Sequence, residues 1–181
     1  LNAGRTEAAV TYLKKAVGMP LISATAYNNL GMAYRKSGRL KKAVEAYKRA
    51  VEINDRYANA YHNLGIVYNE LGSEEKAIDA YRKAVAFDPK DAESRNNLGG
   101  LYIARGRSGE AMKLLRRARE IDPTHIKAHN NLGVAYMMAG RYDEGIKLFN
   151  KAIGMRPGHA ETHNNLAVAY YRIGRYDLAI E

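Results

Sequence analysis

The chain has 181 residues, no Cys, 46% hydrophobic and 27% charged residues, and a formal net charge of +10. That balance excludes a disordered chain, and the lack of Cys excludes a disulfide framework and thiolate chemistry. No apolar run approaches the roughly 18 residues that a membrane-spanning helix needs, no cleaved-leader pattern opens the sequence, and a reducing, cytoplasmic setting is the expectation.

Residues 1–23 predict a single helix with Ala9, Leu13 and Ala16 on one face. The stretch Val17 to Ser23, with Pro20 and Leu21, is the least regular of the chain. Residues 24–57 predict two helices. In the first, Tyr27, Leu30, Gly31 and Tyr34 are helical neighbours; in the second, Ala43, Val44, Tyr47, Ala50 and Val51 form the apolar face. Between them stands Ser37-Gly38, and Gly ends a helix well because it accepts the left-handed conformation. The same two-helix pattern repeats over 58–91, 92–125 and 126–159, and 160–181 carries a first helix and part of a second. Each step is 34 residues without insertion: Asn28-Asn29-Leu30-Gly31 returns as His62-Asn63-Leu64-Gly65, Asn96-Asn97-Leu98-Gly99, Asn130-Asn131-Leu132-Gly133 and Asn164-Asn165-Leu166-Ala167. Pro89, Pro123 and Pro157 stop the second helices; the first full repeat has Asp55 in that place. No repeat can bury its apolar face alone, so neighbours must stack.

With Ala24 as position one, the pattern resembles the tetratricopeptide repeat (TPR) family. Small residues stand at eight, at twenty (Ala43, Ala77, Ala111, Gly145) and at twenty-seven (Ala50, Ala84, Ala118, Ala152). Tyr34, Tyr68, Tyr102, Tyr136 and Tyr170 occupy eleven, and large apolar residues such as Tyr47, Tyr81, Leu115 and Phe149 occupy twenty-four. The resemblance covers the whole chain. It implies an all-α fold, a right-handed superhelical α-solenoid of antiparallel helix pairs forming one array over 1–181, and a non-catalytic scaffold without a cofactor. Close helix approach at the small positions is expected to leave a gap that the aromatic at eleven fills. Both ends fall inside a repeat and the first residue is not Met, so a fragment of a longer TPR protein is expected.

Residues with catalytic or metal-binding chemistry all fall inside the repeat pattern. His125 and His129, and His159 and His163, are four apart, a spacing that can chelate a metal on a helix. The run His159-Ala160-Glu161-Thr162-His163 lacks the Glu directly after the first His that a zinc-protease motif requires. These are read as partly exposed histidines at equivalent positions, with no metal site. The basic pairs Lys14-Lys15, Lys48-Arg49, Arg82-Lys83 and Arg116-Arg117, with Lys151, are expected on the convex side as a solvated face near helix C-termini. Contact with anionic membrane there is the lesser reading. Specific nucleic-acid binding is not expected, because no stacking aromatics interleave with these cations.

The resemblance places the first helices along a concave groove, with positions two, five, six, nine, twelve and thirteen facing it. Position six is Asn29, Asn63, Asn97, Asn131 and Asn165; position five is Asn28, His62, Asn96, Asn130 and Asn164. Asn is a mediocre helix former, but its carboxamide both donates and accepts and so suits a peptide backbone. The ladder is similar to those of the TPR arms of O-GlcNAc transferase and kinesin light chain. Position six is read as gripping extended peptide and position five as mainly structural. Met32, Ile66, Val134 and Met137, with Ile103, Met138 and Val168, add an apolar, adaptable lining. The carboxylate clamp of chaperone-binding members is not matched: Asn28, Met32 and Asn97 stand where its Lys, Asn and Arg would be, and Lys127 alone fits. The expected partner is another protein, bound as an extended segment or a helix. Two alternatives are the regulatory arm of a larger enzyme such as a glycosyltransferase, and a self-assembling scaffold that forms homo-oligomers.

Overall fold

The computed structural model describes residues 2–17 and 23–179. Most of the irregular stretch after Val17 lies outside the described residues. Among those described there are eleven α-helices and no strand. The chain divides into two compact units, Leu1–Pro89 and Lys90–Glu181. The first holds α1 (Asn2–Val17), α2 (Ala24–Lys36), α3 (Leu40–Ile53), α4 (Ala58–Glu70) and α5 (Glu74–Phe87). The second holds α6 (Ala92–Ala104), α7 (Ser108–Ile121), α8 (Ile126–Met138), α9 (Tyr142–Met155), α10 (Ala160–Arg172) and α11 (Tyr176–Ala179). Within each unit consecutive helices pack on one another, and first helices also touch the first helix of the next repeat.

One device closes every first helix. Gly38 has φ 73°, a value that favours Gly. Its N–H donates to the Arg35 carbonyl at 3.0 Å and the Arg39 N–H donates to the Tyr34 carbonyl at 2.9 Å, a Schellman pair. Gly72, Gly106, Gly140 and Gly174 repeat it, with the position-eleven Tyr carbonyl always taking the longer-range bond. The second helices stop by capping as well as by Pro. In the Pro-free first repeat, Asn54 donates its N–H to the Ala50 carbonyl, and its Oδ1 accepts from the Arg56 N–H at 3.1 Å. The same Asx turn accompanies Pro123, where Asp122 Oδ1 accepts from the Thr124 N–H at 2.9 Å, so the turn forms with or without Pro.

The small residues at eight are at helix contacts, but their partner differs from the expected one. A Cβ on Gly31 would lie 2.5 Å from the Tyr47 ring, on Gly65 2.6 Å from the Tyr81 ring, on Gly99 2.7 Å from Leu115, and on Gly133 2.5 Å from the Phe149 ring. Position twenty-four therefore fills the gap, because it projects from the second helix straight at the bare backbone of the first. The position-eleven rings serve elsewhere: the Arg107 guanidinium lies 4.6 Å from the Tyr102 ring centre and that of Arg141 4.5 Å from Tyr136.

Candidate functional site

The Asn columns are joined across repeats. Asn63 Nδ2 donates to Asn28 Oδ1 at 2.9 Å in the first unit. In the second, Asn131 Nδ2 donates to Asn96 Oδ1 at 2.9 Å and Asn165 Nδ2 to Asn130 Oδ1 at 3.0 Å. Position six of one repeat thus donates to position five of the repeat before it. The acceptors are buried: Asn28, Asn96 and Asn130 are 6%, 2% and 1% exposed. Their own amides are engaged too, Asn130 with Glu161 at 3.1 Å and Asn96 with Asn97 Oδ1 at 3.3 Å. The donors Asn63, Asn131 and Asn165 are half-buried, and among the described residues their Oδ1 atoms accept no hydrogen bond. Asn29 is exposed, Asn97 and His62 are half-buried, and Asn164 is exposed.

The apolar candidates lie on the same first helices. Met32 and Val168 are exposed, while Ile66, Ile103, Val134 and Met137 are half-buried beside exposed Met138. In the first unit Asn29 and Met32 line a groove of about 370 Å³ with Thr6, Leu13 and Lys36. There Arg35 donates to Glu70 at 2.6 Å, joining α2 to α4 at positions twelve and thirteen. In the second unit the same positions are Ile103, Met137 and Tyr171, and Ala104, Met138 and Arg172. That face is more apolar than its counterpart.

The paired histidines are built into helix starts. His125 is the N-cap of α8: its Nδ1 accepts from the Ala128 N–H at 3.3 Å and its Nε2 faces Glu93 Oε2 at 2.8 Å. His129, expected to be partly exposed, is 4% exposed. Its Nε2 donates to the Pro123 carbonyl at 2.9 Å and its Nδ1 has no hydrogen-bond partner. Burial pushes its pKa down, with the cations Arg119 and Lys151 and the neighbouring His125 adding to the effect; the Pro123 bond opposes it. His163 repeats the contact at an exposed site, with Nε2 2.7 Å from the Pro157 carbonyl. Among the described residues no group of three or more His, Cys, Asp or Glu is arranged to hold a metal ion. The basic pairs are exposed as expected, and Arg49 and Arg117 bond Glu52 and Glu120 at 2.7 and 2.9 Å. Arg116 donates to the Tyr136 hydroxyl at 2.6 Å, a contact across repeats that position alone does not reveal.

Helix pairs closed by one recurring turn and tied by Asn bonds between repeats define a helical-repeat scaffold of the α-solenoid class. The chain belongs to the tetratricopeptide repeat family: a family model described as Tetratricopeptide repeat matches residues 22–90 and 125–181, and a second so described matches 68–132. No curated protein matches it. Among solved structures it is similar to a tetratricopeptide repeat protein from Parabacteroides merdae at 25% identity, over 99% of this chain and 71% of that one, with a TM-score of 0.83. It is similar to MamA at 27% identity, over 87% and 86%, with a TM-score of 0.78. It also shares the fold of YrrB, described as a TPR protein with an unusual peptide-binding site, at 24% identity over 92% and 86%, with a TM-score of 0.79. Among the described residues no helix is long and apolar enough to cross a membrane.

Proposed function

We propose that the chain is a non-catalytic, cytoplasmic scaffold whose first helices bind an extended segment of a partner protein. The observation that carries this reading is the state of the position-six carboxamides. Each of Asn63, Asn131 and Asn165 uses one N–H to bond the preceding repeat and keeps Oδ1 and a second N–H. The bond to a buried neighbour fixes the orientation of the amide. In each unit a fixed acceptor shares its first helices with apolar side chains, exposed Met32 and half-buried Ile66 in the first and half-buried Val134 and Met137 in the second, which suits a ligand offering main-chain N–H groups between apolar side chains. Asn28, Asn96 and Asn130 hold the ladder in place from beneath. An extended ligand fits better than a helix, because a helix has already satisfied its own main-chain groups.

A peptide array probed with the protein supplies ligands, and anisotropy with a selected peptide measures affinity. Val134→Glu with Met137→Glu, which leaves the ladder intact, is expected to weaken binding at least tenfold. Lys48→Glu with Arg49→Glu is expected to leave it within twofold. The opposite pattern would move the binding surface to the second helices.

A further inference from the structure

The second unit contains a cavity that the groove reading does not use. It is about 720 Å³, lies over α8 between the second helices α7 and α9, and is lined by Arg119, His129, Tyr136, Lys147, Lys151 and Met155, with Pro123 and Leu148 contributing apolar surface. Two repeats earlier, in the first unit, the same positions are Val51, Tyr61, Tyr68, Asp79, Lys83 and Phe87. There the Tyr61 and Phe87 rings pack with centres 5.5 Å apart, Lys83 lies 5.2 Å from the Tyr61 ring centre, and Arg56 lies 5.6 Å from that of Phe87. In the second unit His129 and Met155 replace those rings, and Arg119 and Lys147 replace an apolar and an acidic residue. The exchange removes the aromatic packing and adds positive charge.

The added charge is only partly offset, by Glu144, which lies in the lining and feels the charge of Lys147. Among the described residues Arg119, Lys147 and Lys151 make no ion pair, whereas Arg117 bonds Glu120 and Arg141 bonds Glu144, the one carboxylate of the cavity lining. His129 brings to the lining a side chain more than nine-tenths buried whose Nδ1 has no hydrogen bond. Three cations over Pro123, Leu148 and Met155 make a charged rim on an apolar floor, and the volume lies in the range of small-ligand pockets.

We propose that this cavity is an anion-binding site, distinct from the peptide groove, for a phosphate monoester carried on an apolar or aromatic group. Three unpaired cations match a dianion better than a single carboxylate. Tyr136 and the apolar floor suit the ester's organic part. A dianion there would offset the positive charges that act on His129, so the imidazole reports occupancy. The same chemistry is offered by a free phosphorylated small molecule and by a phosphotyrosine of a partner, and only the size of the ligand separates them.

Titration calorimetry and histidine-resolved NMR on the whole chain test this, with phenyl phosphate, inorganic phosphate, phenol and a phosphotyrosine pentapeptide flanked by glycines as probes. Phenyl phosphate is expected to bind at least tenfold more tightly than inorganic phosphate or phenol and to move the His129 ring resonances. Arg119→Ser with Lys147→Ser and Lys151→Ser, all on helix surfaces, should lose binding at least tenfold with an unchanged thermal midpoint. Lys76→Ser with Lys83→Ser, in the corresponding first-unit groove, should retain it. Tighter binding of the pentapeptide assigns the site to a partner's side chain, and equal or weaker binding assigns it to a free ligand. Equal affinity for inorganic phosphate, unmoved His129 resonances, or equal loss in the first-unit variant would each overturn the proposal, leaving only non-specific charge.

Discussion

Tyr47 is fully buried and its hydroxyl has no hydrogen-bond partner. Burial pushes its pKa up to about 12, so the group stays neutral, but a neutral hydroxyl without a partner still costs about 1–3 kcal/mol of desolvation. The chain accepts Phe149 at the equivalent place three repeats later, over Gly133. Tyr47→Phe is therefore expected to raise stability, by up to about 1 kcal/mol once relaxation is allowed for; a lower urea midpoint would reveal a partner for the hydroxyl. Glycines at two neighbouring positions give the complementary test. Gly65 stands against the Tyr81 ring and Ala84 is fully buried, so Gly65→Leu and Ala84→Leu should each cost about 1–3 kcal/mol by overpacking. A Cβ on Gly100, in mid-helix, would meet nothing outside its own helix nearer than the Asn131 amide at 3.9 Å. Gly100→Ala should therefore stabilise by about 0.5–1 kcal/mol. If all three variants unfolded at the parent's midpoint, helix contact would not be what separates these positions.

At the scale of the element, the start of α8 depends on two imidazoles of opposite character. His125 is raised, first by its bond to Glu93, whereas His129 is lowered, first by burial. A raised histidine contributes stability that is present at low pH and lost as pH rises through its folded pKa. A lowered one does the reverse: below its ordinary pKa of about 6.5 the unfolded chain takes a proton that the folded chain refuses, so stability falls as the solution is acidified. The two partly cancel in the parent, and the contribution of His129 emerges as a difference. His129→Phe is expected to lose less stability than the parent between pH 7.5 and 5.5, as followed by denaturant midpoints at each pH. An unchanged difference would mean that His129 titrates normally. The helices themselves were legible because their signals are local: a Gly at φ 73° or an apolar triplet at helical spacing needs no knowledge of the neighbour. The burial of His129 was not legible, since it depends on what α7 and α9 bring near it and on a carbonyl six residues back. The same holds for the partner of Gly31, which is set by the angle at which α3 crosses α2 and not by spacing along either helix.

For the whole molecule, a repeat array is held by what passes between neighbours, and the Asn ladder is one such tie within each unit. The period and residue type of the ladder were plain in the sequence. That position six reaches back to position five was not, because the bond joins residues 35 apart on separate helices. This geometry changes what an alanine scan of the column should give. If position six served only a ligand, Asn63→Ala and Asn131→Ala would leave folding intact or improve it, since Ala is the better helix former. In the structure each removal leaves a buried acceptor, Asn28 Oδ1 or Asn96 Oδ1, without its partner. Each should then cost about 1–3 kcal/mol of stability, more than the few tenths that helix propensity returns. Asn29→Ala is the control: Asn29 is exposed and bonds no other repeat among the described residues, so its loss should leave the midpoint unchanged while removing one groove amide. Denaturation midpoints for the three single variants, beside peptide affinity measured where each is fully folded, separate the two roles. If Asn63→Ala and Asn131→Ala match Asn29→Ala in stability, the cross-repeat bonds contribute nothing net. If they are destabilised and also bind weakly when folded, one carboxamide both ties the repeats and presents an oriented acceptor to the ligand.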